Sequence, residues 1–332
     1  MLILGVESTA HTFGVGIVTD KGEVLANEID SFSSEEGGMI PDQVAEHHRK
    51  VTADVLQNAM EKAKLKIKKD NIWEQIDFIA YSAGPGLDPA LWEGYKKAKE
   101  WSKKYNKKLV GVNHCCAHLS IGRQFNKLKN PVYLYVSGVN TQLINYEGGK
   151  YRVMGETLDI GLGNMLDKLG RVLELGFPAG PKIEELAKKG KYVELPYVVK
   201  GMDASFSGIL SKAQQILDKG MKGNLKEGEV PVTKEDLCFS VQETCFAMLA
   251  EVSERALAHT GKKELLLVGG VGANQRFCEM LNIMCREREA QFYKVPIDLA
   301  GDQGAMIAWE GFLRKDETGD IGVKTHWRVD EV

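Results

Sequence analysis

The sequence predicts an α/β protein of two lobes, each a sheet flanked by helices. The length of 332 residues exceeds what one ordinary hydrophobic core accommodates and is enough for two lobes with a cleft between them. Apolar strand patterns alternate with amphipathic helical patterns along the chain. A hairpin pattern with a polar tip also occurs near the start of each half, which indicates that the two lobes share a plan.

The elements of the first half follow that alternation. Residues 1–18, MLILGVESTAHTFGVGIV, read as an apolar strand, a turn rich in hydroxyl side chains and glycine, and a second apolar strand. Residues Pro41 to Leu65 place apolar side chains at helical spacing. The strand IDFIAYSAG, a further helix, the strand KLVGVN and the segment HCCAH complete this half.

The second half repeats the plan from Val132 to Tyr146, a second hairpin with a polar tip. Two helical stretches follow, then a long helix from about Leu237 to Thr260 that Gly261 ends. The strand ELLLV runs into a glycine-rich turn, and residues 217–236, charged and rich in glycine, predict a surface loop. We expect a first lobe of residues 1–125 plus about 305–332, and a second lobe of residues 130–304 that carries a nucleotide pocket.

Composition is that of a globular protein of the reducing cytosol. Hydrophobic residues make up 43% and charged residues 27%, and no apolar run approaches the length that crosses a bilayer. The start MLILGV meets Glu7 at once, so it predicts a strand and not a signal peptide. The six cysteines form no CxxC pair. A net charge of -3 gives no global attraction to nucleic acid, so RNA binding would need local patches or a partner.

The segment VNHCCAHLSIG is a candidate metal site. On a helix, His114 and His118 share one face about 6 Å apart and can converge on one ion. The alternative is a structural helix whose histidines form hydrogen bonds with the backbone or with water. Asp302, in GDQG at a strand-to-helix turn, would suit as a further ligand, and such a nitrogen and oxygen set points to iron, zinc or manganese.

The hairpin tips present backbone N–H groups and hydroxyls, which suit a phosphate or a carboxylate. The alternative is that they are plain turns. The chain has neither GxxxxGK[ST] nor a GxGxxG followed by an acidic ribose ligand, so the common nucleotide fingerprints are absent. HExxH is absent too, which makes a metalloprotease the weakest interpretation.

Eleven ordered blocks run nearly end to end along the chain and resemble the universal tRNA threonylcarbamoyladenosine transferase family, in its archaeal and eukaryotic form that works inside the KEOPS complex. The resemblance implies the two-lobed actin-like ATPase fold shared by actin, sugar kinases and heat-shock chaperones, with duplicated ribonuclease H-like lobes and an interlobe cleft. The blocks are GVESTAHTFGVGIV, AEHH, GPGL, GVNHCCAHLSIGR, LYVSGVNTQ, YRVMGETLDIGLGN, GPKIEELA, LPYVVKGMDASFSG, ERALAHT, LLLVGGVGANQRF and GDQGAMIAW.

The resemblance also implies the site residues. A metal would be held by His114, His118 and Asp302, with Tyr135 as a ligand or near neighbour. Tyr135, Val136, Ser137, Gly138 and Val139 would touch the phosphate end of a nucleotide or acyl intermediate. The adenosine and ribose pocket would be formed by Asp167, Gly180, Glu184 and Asn274, although acidic residues in helical patterns usually face solvent.

The implied reaction transfers the threonylcarbamoyl group from threonylcarbamoyl-AMP to N6 of the adenosine 3′ of the anticodon, in tRNAs that read codons starting with A. AMP is a good leaving group, so the protein needs no strong nucleophile. One divalent metal per chain, iron ahead of zinc, would polarise the intermediate. The bound nucleotide is either ATP or threonylcarbamoyl-AMP. The general base stays unassigned among the cleft candidates Glu7, Ser8, Thr9, His11 and one of His47 and His48.

The implied partners are tRNA, a small atypical kinase, a small dimerising subunit and a separate threonylcarbamoyl-adenylate synthase, all in the cytoplasm and without a membrane. Residues Lys96 to Lys108 hold seven lysines with Trp101 and Tyr105 between them, which suits either an RNA backbone or an ordinary solvated helix.

The chain departs from the family pattern at Val139, Ala179 and Gln303, where the family reads SGGNTQ, GFPGGP and DNGAMIA, and at Trp92, where it has an arginine. These departures keep open an altered relative that binds ATP and serves as a scaffold. A plain ATP-binding kinase or ATPase of the same superfamily would not need the two histidines.

Overall fold

A computed structural model describes residues 1–33, 40–221, 231–317 and 319–332. The described residues group into two compact units. The first unit contains residues 1–33, 40–127, 296–317 and 319–332, and the second contains residues 128–221 and 231–295.

The strands of both units coincide with the apolar runs of the sequence. The runs IDFIAYSAG and KLVGVN are confirmed as the fourth and fifth strands. In chain order the strands are β1 Leu2–Glu7, β2 Thr12–Thr19, β3 Val24–Ser31, β4 Ile76–Gly84, β5 Lys108–Asn113, β6 Val132–Val136, β7 Thr141–Glu147, β8 Lys150–Glu156, β9 Val199–Lys200, β10 Asp203–Ala204, β11 Glu264–Val268 and β12 Gln291–Lys294.

The helices fall between these strands. Short 3₁₀ turns occur at Gly270–Ala273 and Val329–Glu331. The α-helices are α1 Pro41–Ile67, α2 Ile72–Gln75, α3 Asp88–Lys104, α4 His114–Phe125, α5 Leu162–Val172, α6 Gly180–Ala187, α7 Ser207–Met221, α8 Lys234–Thr260, α9 Gln275–Glu287, α10 Ile297–Ala300 and α11 Gly304–Leu313.

Both units contain a five-stranded mixed sheet with the same topology. In the first unit the order is β3-β2-β1-β4-β5, and in the second it is β12-β11-β6-β7-β8. In each sheet three consecutive strands pair antiparallel, and two later strands add in parallel beside the first of them. The predicted duplication of the hairpin is therefore confirmed at the level of the whole sheet.

In the first unit the sheet is covered on both faces. Helices α1 and α3 cover one face, with Val55 and Tyr95 in that core. Helices α4 and α11 cover the other face, with Ile121 and Ile307 in a second core. Strands β1 and β2 approach the start of α11 so closely that a Cβ on Gly16 would lie 2.1 Å from the backbone nitrogen of Ala305.

The long helix of the second unit has clear start and stop signals. The hydroxyl of Thr233 accepts from the backbone N–H of Asp236, and the Asp236 carboxylate accepts from that of Thr233. This capping box starts α8 at Lys234, slightly before the predicted Leu237. Gly261, at φ 66°, ends it after Thr260 as predicted.

Two segment boundaries differ from the sequence prediction. Helix α7 continues to Met221 and α8 begins at Lys234, so both ends of the predicted loop 217–236 are helical; residues 222–230 lie outside the described residues. Residues 296–304 were predicted in the second lobe but group with the first unit. The reason is a set of long-range contacts, including that of Asn27, whose Nδ2 donates to the carbonyl of Asp298 at 3.4 Å.

Within the described ranges none of the six cysteines forms a disulfide, and all except Cys278 are buried. No helix in these ranges combines the length and the apolar character that a bilayer crossing requires.

Candidate metal centre and nucleotide-binding site

The two histidines lie at the start of α4, where β5 ends. Asn113 closes the strand, and its side-chain oxygen caps the helix by accepting from the N–H of Cys116 at 3.1 Å. His114 therefore opens the helix and His118 follows one turn later, with their ring centroids 4.7 Å apart. Both rings are buried.

Asp302 reaches the same point from the turn before α11. Its Oδ1 lies 3.2 Å from Nε2 of His118 and 3.4 Å from Nε2 of His114. One donor atom from each residue falls within 4.8 Å of the others. The first unit thus brings together three of the four residues that the resemblance implies as metal ligands, and their donors are those that divalent transition metals prefer.

Behind His114 lies a buried carboxylate. Nδ1 of His114 is 3.0 Å from Oε2 of Glu7 and 3.2 Å from the hydroxyl of Thr9. Oε1 of Glu7 accepts from the backbone N–H of Thr9 at 2.6 Å and from its hydroxyl at 2.5 Å. The sequence predicts Glu7 and Thr9 only as candidates for the general base. The available signal was an acidic residue at the end of an otherwise apolar strand.

The electrostatics of the cluster favour a positive charge beside these carboxylates. Burial alone would lower the pKa of His114, but Glu7 and Asp302 outweigh it and raise that pKa to about 9. Burial lowers the pKa of His118, and Asp302 opposes this shift only in part. Burial would raise the pKa of Asp302, yet the two histidines hold it well below its usual range.

His47 and His48 lie beside the first hairpin tip, the turn between β1 and β2, and stabilise it. Nε2 of His48 donates to the carbonyl of Ala10 at 3.0 Å, and its Nδ1 lies 3.2 Å from Nδ1 of His47. Nε2 of His47 lies 2.8 Å from Oδ1 of Asp30. Both nitrogens of His48 are thus engaged, and burial together with His47 lowers its pKa to about 4. We therefore assign His48 a structural role.

In the second unit, two carboxylates predicted for the adenosine and ribose pocket accept hydrogen bonds from the backbone of neighbouring elements. Oδ1 of Asp167 accepts from the N–H of Ala179 at 2.9 Å, directly before Gly180 starts α6. Oε1 of Glu184, on α6, accepts from the N–H of Gln275 at 2.8 Å. The two carboxylates therefore join α5, α6 and the start of α9.

Asn274 occupies the junction between the glycine-rich turn and α9. Its Oδ1 accepts from the N–H of Phe277 at 3.0 Å, and its Nδ2 donates to Gln242 at 2.8 Å. Gly269, at φ 93°, precedes the turn, where a Cβ would lie 2.4 Å from the carbonyl oxygen of Val136. The backbone thus needs glycine at this position. The structure places Asp167, Gly180, Glu184 and Asn274 along one path of contacts, and their ligand roles stay predictions.

The predicted phosphate segment is the end of β6 and the turn after it. Tyr135 and Val136 are buried in the strand. The carbonyls of Ser137 and Gly138 accept from the N–H groups of Gly163 and Asn164, at 3.1 and 2.8 Å. The turn is therefore held against the start of α5. Tyr135 belongs to the second unit, and its role as a metal ligand stays a prediction.

None of the four departures from the family pattern has a left-handed backbone conformation. Val139 is 69% exposed and has no positive φ. The backbone N–H of Ala179 holds Asp167, and the side chain of Gln303 caps α11 by accepting from the N–H of Met306 at 2.9 Å. Trp92 contacts Tyr95 edge-on, with ring centroids 5.4 Å apart.

The aromatic residues of the lysine-rich segment, Trp101 and Tyr105, pack against other residues of the first unit. Trp101 is buried, and Tyr105 stacks on Trp73 with ring centroids 3.8 Å apart. Lys99 pairs with Asp320 at 2.6 Å. These contacts favour a solvated helix over a base-stacking surface.

Comparison with known proteins identifies relatives of the whole chain. Residues 23–309 match the family described as tRNA N6-adenosine threonylcarbamoyltransferase. A protein of that name from Thermococcus kodakarensis is 51% identical, over 100% of this chain and 98% of its own. One from Archaeoglobus fulgidus is 50% identical, over 94% of this chain and 91% of its own. A probable bifunctional tRNA threonylcarbamoyladenosine biosynthesis protein from Methanobrevibacter smithii is 46% identical, with 60% of its length covered.

Solved structures show the fold. HypF of T. kodakarensis superposes with a TM-score of 0.55 at 16% identity, over 95% of this chain and 48% of HypF. Component A of (R)-2-hydroxyglutaryl-CoA dehydratase from Acidaminococcus fermentans superposes with a TM-score of 0.54 at 13% identity, over 95% of this chain and 99% of its own. The predicted actin-like ATPase fold is therefore confirmed.

Proposed function

The chain belongs to the tRNA N6-adenosine threonylcarbamoyltransferase family, and from that premise we propose that it transfers the threonylcarbamoyl group from threonylcarbamoyl-AMP to N6 of the adenosine 3′ of the anticodon, in tRNAs reading codons that start with A. The observation that carries the proposal is the convergence of His114, His118 and Asp302 within 4.8 Å. A plain ATPase of this fold has no use for two buried histidines facing a carboxylate. The ordinary backbone conformation at the four departures favours an active enzyme over a scaffold.

His114, His118 and Asp302 would hold one divalent metal, with Tyr135 as a further ligand. Two imidazoles and one carboxylate form the set that non-haem Fe(II) takes, which places iron ahead of zinc. When bound, the metal supplies Lewis-acid polarisation of the acyl intermediate. The buried histidines and Asp302 keep their donor atoms in place before any ligand arrives, so little reorganisation is required.

The residues of the second unit would bind the adenylate. Asp167 and Glu184 accept hydrogen bonds, as ribose hydroxyls require, and Gly180 leaves open space where a Cβ would stand. The turn 137–139 would face the phosphate. N6 of the tRNA adenosine attacks the carbamoyl carbon, the bond from that carbon to the phosphate oxygen breaks, and AMP leaves with the electron pair. The proton from N6 passes to solvent or a weak base.

The partners we propose are tRNA, a separate synthase that supplies threonylcarbamoyl-AMP, and the two KEOPS subunits, a small atypical kinase and a small dimerising protein. This chain matches about 60% of the length of the bifunctional biosynthesis relatives. The remaining part of those relatives supports the proposal that this chain acts together with further domains. The cytoplasm is the compartment where tRNA and this intermediate meet.

The test is metal content and transfer measured on the same samples. His114→Ala/His118→Ala should lose about one metal per chain together with transfer to tRNA. His259→Ala, an exposed histidine of the second unit, should keep both. Metal without transfer in the wild type, with partners present, would favour the altered relative. ATP turnover without tRNA, unaffected by loss of the histidines, would favour the ATPase.

A further inference from the structure

Glu7 is a buried carboxylate behind the predicted metal ligands. It ends β1, its exposed fraction is 0%, and it points at His114 from the side opposite Asp302. Among the described residues no lysine or arginine pairs with it. A buried carboxylate is costly unless its neighbours compensate it, and here those neighbours are His114 and Thr9.

The contacts of Glu7 determine which nitrogen of His114 carries hydrogen. The Thr9 hydroxyl has one hydrogen, which it donates to Oε1 of Glu7 at 2.5 Å. Toward Nδ1 of His114, at 3.2 Å, that hydroxyl can therefore only accept. Oε2 of Glu7, at 3.0 Å, is a second acceptor for the same nitrogen. Nδ1 is thus an N–H donor, and Nε2, which faces Asp302, is the nitrogen left to hold an ion.

Glu7 itself is held by Thr9. The backbone N–H and the hydroxyl of Thr9 both donate to Oε1, at 2.6 and 2.5 Å, which leaves Oε2 for the histidine. Two donors on one oxygen fix the rotation of the carboxylate.

We propose that Glu7, clamped by Thr9, is a positioning residue of the metal centre: it accepts a hydrogen bond from Nδ1 of His114 and so presents Nε2 of that ring to the ion. The inference builds on the metal centre proposed above. Glu7 is not a ligand, because its oxygens lie on the Nδ1 side of the ring.

The test is a Co²⁺ titration of metal-free protein, followed by visible absorption. Glu7→Gln keeps the shape of the side chain but removes its charge. Its amide N–H₂ then faces either the N–H of Thr9 or that of His114, so that one donor faces another. We expect about ten- to hundred-fold weaker binding. Thr9→Val should weaken binding less, since the backbone N–H of Thr9 still holds the carboxylate.

The matched control is Glu310→Gln, which changes another buried carboxylate of the first unit, one that pairs with Arg314. It should bind Co²⁺ as the wild type does. Equal affinity and an equal spectrum for Glu7→Gln would overturn the role of Glu7 and leave the site intact. No Co²⁺ binding by the wild type would instead overturn the proposed metal centre itself.

A second measurement needs no variant. In Zn²⁺-loaded protein, long-range ¹H–¹⁵N correlation spectra distinguish the two tautomers of each histidine. We expect the hydrogen of His114 on Nδ1. A hydrogen on Nε2 would contradict the proposal even if Glu7→Gln failed to fold.

Discussion

At the scale of single residues, His48 predicts a pH dependence of stability. It is fully buried and donates to the carbonyl of Ala10. Burial and neighbouring His47 lower its pKa to about 4, against about 6.5 for an unfolded histidine. Because the folded pKa is the lower one, this contribution is complete above about pH 6.5 and is lost as the pH falls toward 4. We expect a loss of roughly 3 kcal/mol in the free energy of unfolding.

Urea titrations at pH 7.5 and 4.5 measure this loss. His48→Gln should be less stable at pH 7.5 but should show a smaller decline on acidification than the wild type. His259→Gln, which changes an exposed histidine, should keep the wild-type decline. An equal decline for the wild type and His48→Gln would contradict the prediction.

The metal ligands illustrate what residue spacing can predict. His114 and His118 are one helical turn apart, so their convergence followed from the sequence, and Asp302 followed from its position before a helix. The role of Glu7 did not follow. Its bond to His114 joins residues 107 positions apart. Spacing along the chain carries no information about such a contact, or about which imidazole nitrogen faces the ligand.

At the scale of elements, the packing of β2 on α11 predicts the effect of a small substitution. A Cβ on Gly16 would lie 2.1 Å from the backbone nitrogen of Ala305, and no side-chain rotation relieves a backbone clash. Gly16→Ala should therefore displace α11 and cost about 3 kcal/mol of stability. Asp302 directly precedes this helix, so Co²⁺ affinity should fall as well.

The control is Gly208→Ala in α7, where a Cβ meets nothing within 4 Å. Alanine there should leave stability unchanged or raise it by up to about 1 kcal/mol, because glycine is the poorer helix former. Thermal unfolding measures both variants. A Gly16→Ala protein as stable as the Gly208→Ala protein would show that the close approach is not required.

The position of the lysine-rich segment, Lys96 to Lys108, predicts that its lysines contribute little to tRNA affinity. Lys103 and Lys104 end α3 just before β5 starts, whereas His114 follows the other end of that strand, about 20 Å away. The aromatic rings of the segment are packed inside the unit. Lys103→Gln/Lys104→Gln should therefore change tRNA affinity less than about two-fold, with nearly the same salt slope. Filter binding across a salt series, with partner subunits present, measures this; a ten-fold loss would make the segment an RNA contact.

At the scale of the whole molecule, the duplicated sheet was predictable and one boundary was not. The sequence shows two hairpins with polar tips, and each proves to be the start of a sheet of the same strand order. Residues 296–304 look continuous with the second half because they follow β12 closely. They group with the first unit because of contacts such as that between Asn27 and Asp298, which only the folded chain reveals.

The position of the metal ligands predicts which unit responds to chelation. His114, His118 and Asp302 all belong to the first unit, and the metal would tie together segments 184 residues apart in the chain. An ion that binds only the folded state stabilises it by about 4 kcal/mol at a thousand times its Kd. Removing it with EDTA should therefore raise amide hydrogen exchange in β5, α4 and α11, and leave α8 of the second unit unchanged. His114→Ala/His118→Ala should exchange at the chelated rate with or without metal, and equal exchange of wild-type α4 in both conditions would count against the site.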